Sequence, residues 1–311
     1  MRRLGLLPNE FVKRYCESRP QIGANICKKI AFMLELHKGG WAHDLLLRLK
    51  SDHSDYDLRA LPPGRICELV EWVQALVPDM SKPEYKEFCD SLRRVFCYET
   101  ASRWLKSQKD VAPYANVRYC PYCNADTVYA LNIDGIPIRS DLDHFFPKDK
   151  YPFLAISIYN LIPACTRCNR SLKSNHYIPA TTMSMPYRDD VHEHLSFKVI
   201  VKDVKGFFAS GHYGIKGIKS DSSSDAVRAL EYVKFFKTEA VYARLFAPEI
   251  ADMLRRVRMA RSFYRAAIKE KFKIQCFDQF LWHDIPDEND INLHRLSKLK
   301  IDIMKQFGLL V

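Results

Sequence analysis

Apolar residues recur at helical spacing in the first part of the chain. One set lies at i, i+4, i+7, i+10 and i+11, which is one face of a helix: Ile66, Val70, Val73, Leu76 and Val77. Pro78 is expected to end this helix, and the same spacing returns after Pro83. The second set consists of Phe88, Leu92, Val95 and Phe96. We therefore expect residues 1–112 to form a helical N-terminal region.

The pattern changes to short β-prone runs beyond residue 113. Residues 127–133 and 136–138 flank Asp134-Gly135, a dipeptide that is typical of a tight turn in a β-hairpin. We expect this hairpin to lie in a separate central segment, residues 113–180.

Helical periodicity returns in the last part of the chain. One apolar face comprises Ile250, Met253, Val257, Ala260, Tyr264 and Ile268. The other local predictions are a short helix over 151–161, a helix opening at 166–172, a second hairpin at 196–208 and a polar loop at 220–225. Residues 181–311 are thus predicted to be mainly helical.

The composition is typical of a soluble protein with a packed core. Hydrophobic residues make up 47% of the 311, and Gly (11) and Pro (16) are few, which excludes collagen-like and broadly disordered classes. No apolar run approaches the ~18–20 residues that cross a bilayer. The chain starts with Met1-Arg2-Arg3, as a signal peptide can, but Pro8 and Glu10 precede any hydrophobic region. We expect a cytoplasmic protein.

The charge balance favours an anionic partner. Lys and Arg number 48 against 37 Asp and Glu, a formal net charge of +11. Such a surplus favours nucleic acid, an anionic surface or an acidic protein, although many basic proteins bind none of these. Four arginines share one flank of the predicted C-terminal helix: Arg255, Arg258, Arg261 and Arg265. A row of this kind is usually a solvated face, but it can also follow a phosphate backbone.

Four of the ten cysteines form two Cys-x-x-Cys pairs, Cys120/Cys123 and Cys165/Cys168. Two such pairs are typical of a structural zinc site, whereas one pair alone would leave redox chemistry open. A closed four-cysteine site offers zinc no open position, so it is expected to stabilise the fold and not to catalyse. The scattered cysteines are expected to be reduced thiols: Cys16, Cys27, Cys67, Cys89, Cys97 and Cys276.

Further polar residues lie between and after these pairs. Asp143-His144 follows the predicted hairpin, Asn160 precedes a leucine, and Asn169 follows the second pair. In this order the motifs resemble the HNH endonucleases, in particular the zinc-stapled ones with a ββα-metal core. The resemblance covers residues 119–175. It implies an α+β protein, mostly helical, with a small ββα-metal HNH nuclease core that a four-cysteine zinc site staples.

The resemblance also assigns roles. His144 is expected to be the general base, because a neutral imidazole can take a proton from water near pH 7. Asp143 is expected to bind a catalytic Mg²⁺ or Mn²⁺, and Asn169 stands where the family places its second metal ligand. Asn160 is expected to brace the loop that carries the base. The expected phosphate contacts are Lys148, Arg167, Arg170 and Lys173.

The residues around the motifs are most similar to HNH subunits of bacterial anti-phage systems. The segments 145–148, 151–154 and 159–163 resemble the nuclease partner of an ATPase in Septu-like and retron-associated systems. This implies a toxic effector that an ATPase partner restrains, with DNA or RNA such as tRNA as substrate.

A non-catalytic zinc-binding module that recognises nucleic acid or protein is the alternative. In that case Asp143-His144 is a surface pair and Asn169 a helix N-cap. Two further sets of histidines, His176 and His192-Glu193-His194, are expected to be exposed.

Overall fold

The computed structural model describes residues 1–18, 20–96, 115–174, 176, 182–203, 213–260, 270 and 287–310. The protein is α+β and mostly helical, with small antiparallel sheets, as the sequence predicts. It divides into two compact units. One comprises Arg3–Val117 and Val128–Arg188, and the other Met1–Arg2, Arg118–Thr127 and Asp189–Val311. The predicted boundaries at residues 112–113 and 180–181 lie outside the described residues.

The first unit begins with helices. They are α1 (Asn9–Glu17), α2 (Pro20–Leu36), α3 (Gly40–Tyr56), α4 (Pro63–Leu76) and α5 (Pro83–Val95). Prolines occupy the first turns of α4 and α5, where the missing N–H costs nothing. Both predicted apolar faces are confirmed except at Leu76, which is half-buried. The other predicted positions are all buried: Ile66, Val70, Val73, Val77, Phe88, Leu92, Val95 and Phe96.

The predicted hairpin is also confirmed. Strands β1 (Ala130–Ile133) and β2 (Ile136–Arg139) pair with Ile133 opposite Ile136. Asp134 and Gly135 both have positive φ, 51° and 84°, which is the backbone that a type I′ hairpin turn requires.

A second pair of strands carries the predicted catalytic motif. Strand β3 (Asp141–His144) pairs antiparallel with β4 (Leu161–Ala164), so that His144 lies opposite Leu161. The predicted helix over 151–161 is therefore wrong. The chain forms two separate 3₁₀ turns, Pro152–Leu154 and Ile158–Asn160, and then enters β4.

Side chains explain why no continuous helix forms there. In an α-helix the carbonyls of Leu154 and Ala155 would accept from N–H groups four residues later. Instead the Asn160 amide donates to Leu154 O and the His144 ring to Ala155 O. These bonds satisfy the carbonyls without a helix.

A π-helix follows β4, where a helix is predicted to open. It spans Arg167–Lys173, and the Ser174 N–H donates to Asn169 O over five residues at 2.9 Å. Residues five apart therefore stack on one face, and Cys168 and Lys173 are both buried.

The second unit combines a long hairpin with helices. Its elements are α6 (Val191–His194), β5 (Leu195–Val201), β6 (Tyr213–Lys219), α7 (Ser224–Phe235), α8 (Thr238–Leu245), α9 (Ala247–Ala260) and α10 (Ser297–Gln306). Strand β6 begins beyond the predicted hairpin at 196–208. The sequence does not reveal it, because Gly214 and Gly217 weaken the strand pattern there. Residues 204–212 lie outside the described residues.

The C-terminal apolar face is confirmed as far as α9 extends. Ile250, Met253, Val257 and Ala260 are buried, and Tyr264 and Ile268 lie outside the described residues. The predicted polar loop is shorter than expected, because Ser223 caps α7 by accepting from the Ala226 N–H. None of the described helices is long and apolar enough to cross a membrane.

Asn124 joins the turn after Cys123 to the C-terminal part of the second unit. Its side chain is buried, with the amide donating to Ile291 O at 2.7 Å and the oxygen accepting from Ser297 Oγ and Lys298 N. Its φ of 52° is left-handed, a region that asparagine tolerates. One residue thus fixes a turn and the start of α10.

We expect Asn124→Ala to lower the free energy of unfolding by about 2–4 kcal/mol, because buried partners lose their hydrogen bonds. Urea unfolding curves measure the loss. The control is Asn116→Ala, an exposed asparagine with a φ of 49°, which tests backbone strain alone. Equal losses in the two variants would show that the Asn124 side chain contributes nothing beyond strain.

Candidate functional site

The four paired cysteines lie together. Cys120, Cys123, Cys165 and Cys168 are buried, and their sulfur atoms are all within 4.8 Å of one another. Zn–S bonds of ~2.3 Å in a tetrahedron require sulfurs roughly 3.8 Å apart, so the group can hold a metal ion such as zinc. No other group of three or more His, Cys, Asp or Glu in the described part of the chain is placed to do so.

Tight turns present the thiols of each pair. The N–H groups of Cys123 and Asn124 both donate to Cys120 O, at 3.2 and 2.7 Å. In the other pair the Cys168 N–H donates to the Cys165 sulfur at 3.4 Å. A backbone N–H directed at a sulfur stabilises the thiolate, which is the form that binds metal.

His144 ends β3 with its ring held in one orientation. Its Nε2 lies 2.9 Å from Ala155 O. Because a carbonyl can only accept, Nε2 carries the hydrogen, and the lone pair of the neutral ring is on Nδ1. Burial lowers the pKa of His144 to about 4, so the imidazole is neutral at pH 7.

Asn160 is fully buried and ends the 3₁₀ turn Ile158–Asn160, directly before β4. Its Oδ1 accepts from the Phe146 N–H at 2.8 Å, and its amide donates to Phe146 O and Leu154 O, both at 3.1 Å. These bonds tie together the chain on both sides of the loop that follows His144. The catalytic value of this brace stays a prediction.

Asp143 and Lys173 form a buried ion pair. The Lys173 Nζ lies 2.5 Å from Asp143 Oδ1 and also donates to His144 O. The side chains are only 3% and 5% exposed. Burial lowers the pKa of the Lys173 ammonium, and the Asp143 charge opposes that effect. Lys173 was expected to contact phosphate, but its side chain is buried and does not lie at the surface.

Asn169 contacts Asp141, a carboxylate that is not among the predicted site residues. Its amide donates to Asp141 Oδ2 at 3.1 Å, and the Arg170 guanidinium binds both oxygens of Asp141 at 2.7 and 2.8 Å. Arg170 thereby holds the pKa of Asp141 below its usual range. The only sequence signal for Asp141 was its i, i+2 relation to Asp143, which puts both carboxylates on one face of a strand.

The other expected phosphate contacts lie nearer the surface. Arg170 is exposed, whereas Lys148 and Arg167 are half-buried. On α9, Arg255 forms an ion pair with Asp252, and Arg261 and Arg265 lie outside the described residues.

His176 and His192 were both expected to be exposed, but only one of them is. His176 is exposed, as expected. His192 is not, because its ring packs inside the second unit with Nε2 3.1 Å from Glu288.

Comparison with known proteins gives one partial match. Over 98 residues the chain is 31% identical to the Septu protein PtuB of Bacillus thuringiensis. The match is short. It covers 30% of this chain and 38% of PtuB, so the chain spans little more than a third of that relative. No protein-family model and no solved structure matches the chain.

We expect purified protein to carry close to one zinc ion per chain, measured by elemental analysis. Cys165→Ser is expected to lose the zinc and to unfold, because structural zinc contributes on the order of 10 kcal/mol of folding free energy in small zinc domains. Cys27→Ser changes an exposed cysteine and is the control. Folded, zinc-free Cys165→Ser protein would contradict a structural metal site.

Asn160→Ala is expected to lower the free energy of unfolding by about 2–4 kcal/mol, since it leaves buried backbone groups without partners. Hydrogen exchange of the Phe146 amide is expected to accelerate in the same variant. Asn132→Ala, at an exposed position of β1, is the control. Unchanged exchange at Phe146 would show that Asn160 does not hold this loop.

Proposed function

We propose that the chain is an HNH-type endonuclease, which hydrolyses phosphodiester bonds of nucleic acid. The observation that carries the proposal is the position of His144 at the end of β3, where Ala155 O fixes its ring and Asn160 ties the loop that follows it. Strands β3 and β4 and the following π-helix correspond in order to the two strands and helix of a ββα core. A zinc-binding module without activity has no use for such a histidine.

His144 acts as the general base in this proposal. Its Nδ1 takes the proton from a water molecule as that oxygen attacks the phosphorus. The bond to the sugar oxygen breaks with its electron pair, and that oxygen takes a proton from solvent to leave as a hydroxyl. The Ala155 carbonyl stabilises the positive charge that the ring acquires, since Nε2 already donates to it. Asn160 is a positioning residue that acts through the loop.

A catalytic divalent cation was expected at Asp143 and Asn169. Oxygen ligands suit Mg²⁺ and Mn²⁺, but the arrangement of this structure does not fit either ion. The Lys173 ammonium already occupies Asp143, and the Asn169 amide binds Asp141. We therefore derive the chemistry from His144 and assign no step to a cation.

Basic residues beside the core support a polyanionic substrate. Arg170 is exposed at the π-helix, and Lys148 and Arg167 are half-buried nearby in the chain. With a net charge of +11, long-range attraction favours DNA or RNA.

The partial match to a Septu protein supports a role in anti-phage defence. We propose that the chain is the toxic effector of such a system and works with an ATPase partner. Co-purification with the product of a neighbouring gene tests the partner.

We expect His144→Ala to reduce cleavage ~10²–10⁴-fold, the contribution of a general base. Plasmid, phage DNA and total RNA are incubated with wild type and variant at equal zinc content. His43→Ala, a histidine of α3 outside the site, is the control and is expected to cut normally. Near-normal cutting by His144→Ala, or no cutting by wild type with its partner, would contradict the proposal.

A further inference from the structure

We infer that Lys173 is an internal counter-ion that closes Asp143 to divalent cations. The inference goes beyond the proposed function, and its physical basis is the buried ion pair. The ammonium donates both to Asp143 Oδ1 and to His144 O, and so it bridges the side chain of one motif residue and the backbone of the next.

The π-helix is what directs Lys173 to this place. In an α-helix residues five apart point in different directions, because successive residues turn by about 100°. In Arg167–Lys173 the i→i+5 bonding brings Lys173 to the same side of the helix as Cys168, and both side chains are buried. The π-helix therefore buries the Lys173 side chain together with that of Cys168.

Electrostatics makes Lys173 and a divalent cation mutually exclusive at Asp143. A cation bound to the same carboxylate would lie within a few ångströms of the ammonium, where two positive charges repel strongly in a poorly hydrated interior. Removing the lysine without a replacement is also costly, since it leaves the Asp143 carboxylate buried without a counter-charge. Cation binding must therefore displace Lys173.

The neighbouring ion pair behaves differently. Arg170 binds Asp141 on the same turn, but its side chain is 68% exposed, whereas that of Lys173 is 3% exposed. Solvent screens the exposed pair, so it is easily broken. The buried pair is the one that can hold the site closed.

The test measures Mn²⁺ binding by zinc-loaded protein without nucleic acid, from the loss of the electron paramagnetic resonance signal of free Mn²⁺. We expect Lys173→Met to bind Mn²⁺ roughly tenfold or more tightly than wild type, because the competing charge is gone. Lys50→Met makes the same change at an exposed position of α3 and is expected to match wild type. The double variant with Asp143→Asn is expected to lose the gain.

Lys173→Gln keeps a hydrogen-bond donor for Asp143 and serves if Lys173→Met does not fold. Folded Lys173→Gln or Lys173→Met that binds Mn²⁺ no more tightly than wild type would overturn the inference. A gain that survives in the double variant would overturn it as well. Neither result concerns cleavage, so failure of the nuclease proposal, seen with His144→Ala, is a separate outcome.

Discussion

The hydrogen bonds that His144 and Asn160 make to the loop between β3 and β4 are the constraint on which the candidate site depends. Both residues donate to carbonyls of the segment 146–155, at Ala155, Phe146 and Leu154. Without these bonds the buried carbonyls would need partners, and the segment would form a helix or unfold. With them, the imidazole has one orientation and one tautomer. The hydrogen bond from His144 to Ala155 O therefore both shapes the loop and fixes which ring nitrogen carries the lone pair.

Charge in the site is balanced within the chain itself. The carboxylates of Asp141 and Asp143 each have a cation from the π-helix, one exposed and one buried. The exposed pair of Arg170 and Asp141 contributes little to stability, because solvent screens it. The buried pair of Lys173 and Asp143 instead determines which groups can approach the Asp143 carboxylate.

Sequence patterns predicted the parts of the structure in which backbone preference and burial agree. Helix α4 begins at a proline and buries Ile66, Val70 and Val73 of its predicted apolar face, and Asp134-Gly135 forms the expected turn. Prediction failed where side chains replace backbone partners, as in the 3₁₀ turns before β4, and where glycines stand in β6. The burial of Lys173 could not be predicted, because a π-helix moves a lysine from the outer to the inner face without any change in composition.

The activation of water that we propose for His144 is most directly tested by cleavage in water enriched in oxygen-18. Wild type, with any partner it requires, cuts the polymer that it accepts, and mass spectrometry examines the phosphate at each new end. We expect one oxygen-18 atom in each terminal phosphate, because the attacking oxygen comes from the water that gives its proton to His144. A product that lacks the label, or a cyclic phosphate formed by attack of a ribose hydroxyl, would contradict this chemistry.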